Sequence, residues 1–135
     1  MELPMSTARV IVAGGCRCGK TELAKKFAGL HPGLTVRHTD DLQKLGWSEA
    51  SEVATAWFDV QGPWLVEGVA ASRSLRKWLR AHPEGKPCDL VFRLTKPFED
   101  LLPGQASMNV GERTVWREIE PELRRRGVTI KEVKT

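Results

Sequence analysis

The sequence lacks any apolar run approaching the roughly 20 residues that a membrane-spanning helix needs. The start of the chain, Met1-Glu2-Leu3-Pro4-Met5, lacks the basic residues and apolar stretch of a secretion signal. Both absences predict a cytoplasmic protein with no membrane association. Internal repeats and low-complexity tracts are also missing, so one continuous folding unit is expected. Cysteine is scarce: Cys16, Cys18 and Cys88 do not make a disulfide framework. Cys16 and Cys18 share a glycine-rich segment, where a bridge would distort the backbone. A structural zinc needs about four ligands, and His31, His38 and His82 do not form the second half of such a site. Reduced thiols and no structural zinc are the expectation.

What is present is ordinary for a soluble globular chain. The 135 residues are 41% hydrophobic and 28% charged, enough for one domain with a real core. The formal net charge of +4 points weakly toward a polyanionic partner. Many small basic proteins never touch nucleic acid, so charge alone decides nothing.

Residues 8–13 are apolar and β-branched and predict a buried strand. A glycine-rich loop follows, then residues 22–28 carry apolar side chains at helical spacing up to Gly29. Residues 34–39 predict a second strand with Asp40 and Asp41 at its carboxyl end. Beyond Gly46 a helix is expected over 48–58. A third strand over 64–69 leads into a helix over 72–80, and a fourth strand spans 89–94. Pro97, Pro103, Gly104 and Gly111 make residues 97–111 look irregular. A helix over 112–126, kinked at Pro121, stops at Gly127 before a last strand over 128–133. Strands alternating with helices predict right-handed crossovers and a five-stranded parallel sheet covered on both faces. The expected fold is a single three-layer α/β domain of the P-loop NTPase kind over residues 1–135, with a short lid near 97–117.

The loop between the first strand and the first helix reads Gly14-Gly15-Cys16-Arg17-Cys18-Gly19-Lys20-Thr21, a G-x-x-x-x-G-K-[ST] pattern. Its setting matters more than its letters. Glycines let the backbone curl so that successive N–H groups face phosphate oxygens, and the helix N-terminus adds positive potential. Lys20 is expected to reach the β- and γ-phosphates, and the Thr21 hydroxyl to ligate magnesium. A tight turn with no ligand would leave Lys20, Thr21 and the strand–loop–helix setting unexplained. ATP or another nucleoside triphosphate, with Mg2+, is the expected ligand. Arg17 has two readings of equal standing, an added phosphate contact or a solvent-facing side chain.

In an open parallel sheet, ligands bind beyond the carboxyl ends of the strands. Asp40, Asp41 and Glu67 stand there. A carboxylate that orients and deprotonates an attacking hydroxyl is needed for phosphoryl transfer. Asp40 is assigned as that base, with Asp41 beside it in the acceptor site, and Glu67 as acting through the metal or its waters. Against this stands helix capping by either aspartate, and a plain strand-end charge for Glu67.

Arg73, Arg76, Lys77 and Arg80 share one helix face, opposite Leu75, Trp78 and Leu79. Such a cluster is usually solvated. Arg73 differs because it lies in the first turn after the third strand, where an arginine can clamp an acceptor phosphate, with Arg76 next to it. Arg113 and Arg117 are one turn apart and follow the glycine-bearing segment, where a mobile cover would bring charge to the transition state. The equal alternative is surface pairing with Glu112, Glu118 or Glu120. Arg124 to Arg126 suit a solvated helix end, and Trp57, Phe58, Trp78 and Trp116 are expected in the core.

With these residues placed, the chain resembles the small P-loop kinases that act on nucleosides, nucleotides, sugars and polynucleotide ends. GGCRCGKT at 14–21, HTDDL at 38–42, WLVEGV at 64–69 and CDLVFRL at 88–94 carry the resemblance. It implies Asp40 on the acceptor hydroxyl, Arg73 as the arginine after the third strand, and Arg113 or Arg117 as lid arginines. The chain is too compact for both the monophosphate-binding insertion and the long lid of nucleoside monophosphate kinases. A short cover suits a bulky acceptor, and the chain is similar to bacteriophage kinases that phosphorylate 5-hydroxymethyluracil within DNA. The implied activity is ATP- and Mg-dependent transfer to a hydroxyl on nucleic acid, in the cytoplasm (the host's, for a viral protein). The modified base is the first choice of acceptor and a 5′-hydroxyl end the second. A kinase for a free nucleoside, nucleotide or other metabolite is the enzymatic alternative, and an NTPase switch the non-kinase one. No protein partner is inferable.

Overall fold

The computed structural model describes residues 8–97 and 100–133, without the side chains of Gln43 and Trp47. Five parallel strands form one sheet: β1 (Arg9–Gly14), β2 (Thr35–His38), β3 (Trp64–Gly68), β4 (Leu90–Leu94) and β5 (Thr129–Val133). Their order across the sheet is β2-β3-β1-β4-β5. The helices are α1 (Lys20–Leu30), α2 (Gly46–Trp57), α3 (Ala71–Ala81) and α4 (Gln105–Arg125), and a 3-10 segment spans Thr39–Leu45. The expected fold class is the observed one.

Alternation along the central strand decides which helix packs where, because successive side chains point to opposite faces. Val10 and Val12 join Leu65, Leu90, Leu94 and Ala24 of α1 in one core. Ile11 and Ala13 face the other way, onto Leu75, Trp78 and Leu79 of α3 and Trp116, Ile119 and Leu123 of α4. Both central strands, β1 and β3, are nearly continuous apolar runs because they are covered on both sides. The arginines and lysine of α3 lie on the face away from this core. Trp57 packs partly buried against it, while Phe58, Trp78 and Trp116 are buried within it.

Boundaries shift by one residue at most strands; α2 begins at Gly46 rather than Ser48, a 3-10 segment precedes it, and two further differences bear on the site. Helix α1 begins at Lys20 rather than near Glu22, so the loop's lysine and threonine form its first turn. Residues 105–111, expected to be irregular, are the first two turns of α4. An interior glycine costs a helix about 1 kcal/mol relative to alanine. That cost is outweighed by a buried stripe of Asn109, Glu112, Val115, Trp116, Ile119 and Leu123 at helical spacing. Gly111 also leaves room for Arg73, whose Nη2 would lie 3.3 Å from a Cβ there. The helix continues through Pro121 and ends before Gly127, whose φ of +90° suits a residue without a side chain. Phe98 and Glu99, in the expected lid, lie outside the described residues, as do Met1 to Met5. Among the described residues no helix is long and apolar enough to cross a membrane.

Candidate functional site

The strand order brings the carboxyl ends of β1, β2 and β3 to one edge of the sheet, and a cavity of about 620 Å³ opens there. Its first wall is the loop from Cys16 to Thr21. Gly14 packs so tightly on β4 that a Cβ would fall 2.5 Å from the Leu94 carbonyl oxygen, so only glycine fits at the loop's start. Gly19 takes a left-handed φ of +85° immediately before α1, a conformation that suits a residue without a side chain. Lys20 is 8% exposed, and its ammonium donates to the Gly15 carbonyl. Thr21 is exposed at the cavity wall.

The second wall comes from the ends of β2 and β3. Asp40, in the first turn of the 3-10 segment, is exposed and lines the cavity. Asp41 is exposed, off the lining. Neither aspartate caps α2, which has no side-chain cap. Glu67 lies at the cavity floor, 2% exposed, and pairs with His38 at 2.6 Å (Nδ1 to Oε1). The two are register partners on β2 and β3, which explains the contact and why no local reading of the sequence predicted it. Thr39 is buried and also lines the cavity, and its hydroxyl has no hydrogen-bond partner among the described residues. It sits against Gly68, where a Cβ would collide with the Thr39 Oγ1 at 1.7 Å. The glycine after Glu67 is thus required by the threonine before Asp40.

The third wall is the start of α4. The Asn109 side chain, 3% exposed, accepts from the Cys16 N–H at 2.5 Å and donates to the Cys16 carbonyl at 3.4 Å. One turn earlier, the Gln105 Oε1 accepts from Arg17 Nε at 3.1 Å and from the Leu102 N–H at 2.7 Å. Gln105 and Met108 both line the cavity. Sequence reading missed these residues because it treated 105–111 as irregular. Extending the apolar spacing of residues 112–123 backward by one turn would have reached Asn109. Burial pushes the Cys18 thiol above its ordinary pKa, with the nearby Lys20 charge pulling the other way.

The arginines assigned to the acceptor side and the lid lie elsewhere. Arg73 is exposed on α3 and reaches toward Gly111 of α4. Arg76 pairs with Glu118 at 3.5 Å and Arg80 with the same carboxylate at 3.2 Å, while Lys77 pairs with Glu52 at 3.4 Å. Arg113 and Arg117 are exposed on α4 and off the cavity lining. The buried cation near α4 is instead Arg93, which grips Glu112 through both terminal nitrogens and lies 4.8 Å from the Trp116 ring. Ser72 donates to the same carboxylate at 2.6 Å, so α3, α4 and β4 meet on one ion pair. No cluster of three or more metal-binding side chains occurs among the described residues.

No family model and no curated protein matches this chain. Among solved structures it is similar to a shikimate kinase from Acinetobacter baumannii in complex with shikimate. That similarity has a TM-score of 0.57 and covers 97% of this chain and 85% of the other, at 15% sequence identity. The two chains share a fold. It is the P-loop α/β fold, and this chain's loop 14–21 occupies the β1–α1 turn that defines it.

Proposed function

We propose that the chain is an ATP- and magnesium-dependent kinase that transfers the γ-phosphoryl group to a hydroxyl of a small acceptor. One observation carries this reading: a phosphate loop and the Asp40 carboxylate share a single cavity, with Glu67 at its floor. The residues fit a nucleotide and its metal. The loop's N–H groups and Lys20 suit the phosphates, and Lys20 bonds meanwhile to a backbone carbonyl, which a phosphate oxygen replaces. Magnesium keeps several waters and binds through few protein groups plus substrate phosphates. The Thr21 hydroxyl would be its direct ligand, and the Glu67 carboxylate would hold its waters. The unpartnered Thr39 hydroxyl gives the same floor a further oxygen. The bound metal would neutralise charge on the phosphates.

Asp40 receives the acceptor's hydroxyl proton as the acceptor oxygen bonds to the γ-phosphorus. The bond from that phosphorus to the bridging oxygen breaks, and its electron pair leaves with the nucleoside diphosphate. Asp40 is preferred to Asp41 because it lines the cavity and Asp41 does not.

Part of the positive charge that pointed weakly to nucleic acid lies on the basic face of α3. Its ion pairs with Glu118 and Glu52 weaken that argument. The shared fold with a shikimate kinase supports a compact, hydroxylated acceptor instead. A modified DNA base and a 5′-hydroxyl end remain the second reading, favoured by the short connection between β4 and α4. The test is incubation with γ-labelled ATP and a panel of polyhydroxylated acids, free nucleosides, hydroxymethylated DNA and 5′-hydroxyl DNA. Label on small molecules alone supports the proposal, and label on DNA alone replaces it with the second reading. Release to water that no acceptor accelerates would make the protein an NTPase switch.

A further inference from the structure

We propose that Arg17, inside the phosphate loop, supplies the transition-state cation of this site. This rests on the kinase reading above and adds a residue to it. Among the described residues, Arg17 and Lys20 are the cationic side chains that line the cavity. Arg73, Arg113 and Arg117 do not line it. Arg17 also holds an unusual backbone: its φ is +58°, and it is the one non-glycine residue with positive φ among those described. An L-residue in that region is strained, and such strain gathers where a side chain has a task. Glycine would take this conformation without penalty. The loop tolerates an arginine there, at the cost of that strain.

The side chain is directed rather than loose. Its Nε donates to Gln105 Oε1 at 3.1 Å, and that oxygen is itself fixed by the Leu102 N–H at 2.7 Å. Since Gln105 also lines the cavity, the guanidinium is held at the rim between the loop and α4. A planar, permanently charged guanidinium suits the oxygens of a transferring phosphoryl group. In the transition state negative charge spreads over the equatorial oxygens of the transferring γ-phosphoryl group, and a cation fixed in the loop meets it there. The connection between β4 and α4 is short, and the phosphate loop brings its own arginine.

The test uses ligand binding, so it does not depend on knowing the acceptor. Wild type, Arg17→Gly and Arg17→Lys are titrated with Mg·ADP alone and with Mg·ADP plus aluminium fluoride, a mimic of the planar transferring group. In the wild type, fluoride complexes should bind at least about tenfold more tightly than ADP alone, as for other transition-state mimics. Arg17→Gly should lose that tightening, keep its ADP affinity within about twofold, and melt at the same temperature or higher, since glycine relieves the positive φ. Arg17→Lys should recover part of the tightening, as it keeps the charge without the planar fork. Tightening that survives in Arg17→Gly, or a loss matched by an equal loss of ADP affinity, overturns the proposal. So does a wild type that binds ADP without any tightening. A wild type that binds no nucleotide at all fails the kinase reading first, and takes this inference with it.

Discussion

The two halves of the cavity are built in opposite ways. The phosphate side is local: eight consecutive residues, Gly14 to Thr21, between a central strand and the helix it launches. The other side, proposed above for the acceptor, is assembled from the 3-10 segment after β2, the end of β3 and the first turns of α4, spread over more than sixty positions of the chain. A local device works by backbone curvature and one helix terminus, so it survives change elsewhere. An assembled wall depends on what holds its pieces together. Here that is the ion pair of Arg93 with Glu112 and the grip of Asn109 on the loop.

Substituting the loop should produce the largest change. Lys20→Ala should reduce phosphoryl transfer by about 10³-fold or more, roughly 4 kcal/mol of transition-state stabilisation, while the far-ultraviolet spectrum stays native. A rate within tenfold of wild type would break the assignment of the loop.

Breaking the assembled side should act on stability instead. Arg93→Ala leaves Glu112 buried and charged, a loss of about 3–5 kcal/mol in denaturant unfolding. Replacing both together, Arg93→Met with Glu112→Leu, should cost much less, because no uncompensated charge remains. Equal losses from both would show that packing, not charge, joins α4 to β4.

Asn109 is where the halves touch, and Asn109→Ala sharpens the comparison. Removing it leaves the Cys16 N–H to other partners, for a loss of about 1–2 kcal/mol, with nucleotide affinity retained. A loss of nucleotide binding without a loss of stability would move Asn109 into the nucleotide site.

At neutral pH the smallest effect is at Cys88, where a difference emerges only in alkali. Burial pushes the Cys88 thiol up to about 12 from an ordinary value of 9.0. The unfolded chain therefore loses that proton first. Stability should be unaffected below about pH 9 and fall as pH rises from there toward 12. Urea midpoints for wild type and Cys88→Ala should fall apart only above pH 9, with the wild type declining more steeply. Parallel curves would mean that the thiol is not buried in solution.

The same contrast explains what the sequence made legible. Strand and helix types followed from period and glycine placement, and the phosphate loop from its letters in their setting. Asp40 was placed by the rule that ligands gather beyond strand ends. The Glu67–His38 pair was not legible, because it is a register contact between two strands. Neither was the Thr39–Gly68 fit, which depends on the same register. The start of α4 was missed because Gly104 and Gly111 read as breakers. One is the residue before the helix, with φ of +89°, and the other gives Arg73 room. The basic face of α3 was visible, but its partners Glu118 and Glu52 lie on α4 and α2, so their neutralising effect was not.

The central claim is that phosphate loop and Asp40 form one phosphotransfer site. It is tested most directly by Asp40→Asn, comparing acceptor-dependent transfer from γ-labelled ATP with nucleotide affinity in the same preparation. The account predicts a transfer rate lower by about 10²–10⁴-fold, the range for removing a general base, with ATP binding unchanged. Undiminished transfer in Asp40→Asn, with transfer lost in Asp41→Asn, would contradict it.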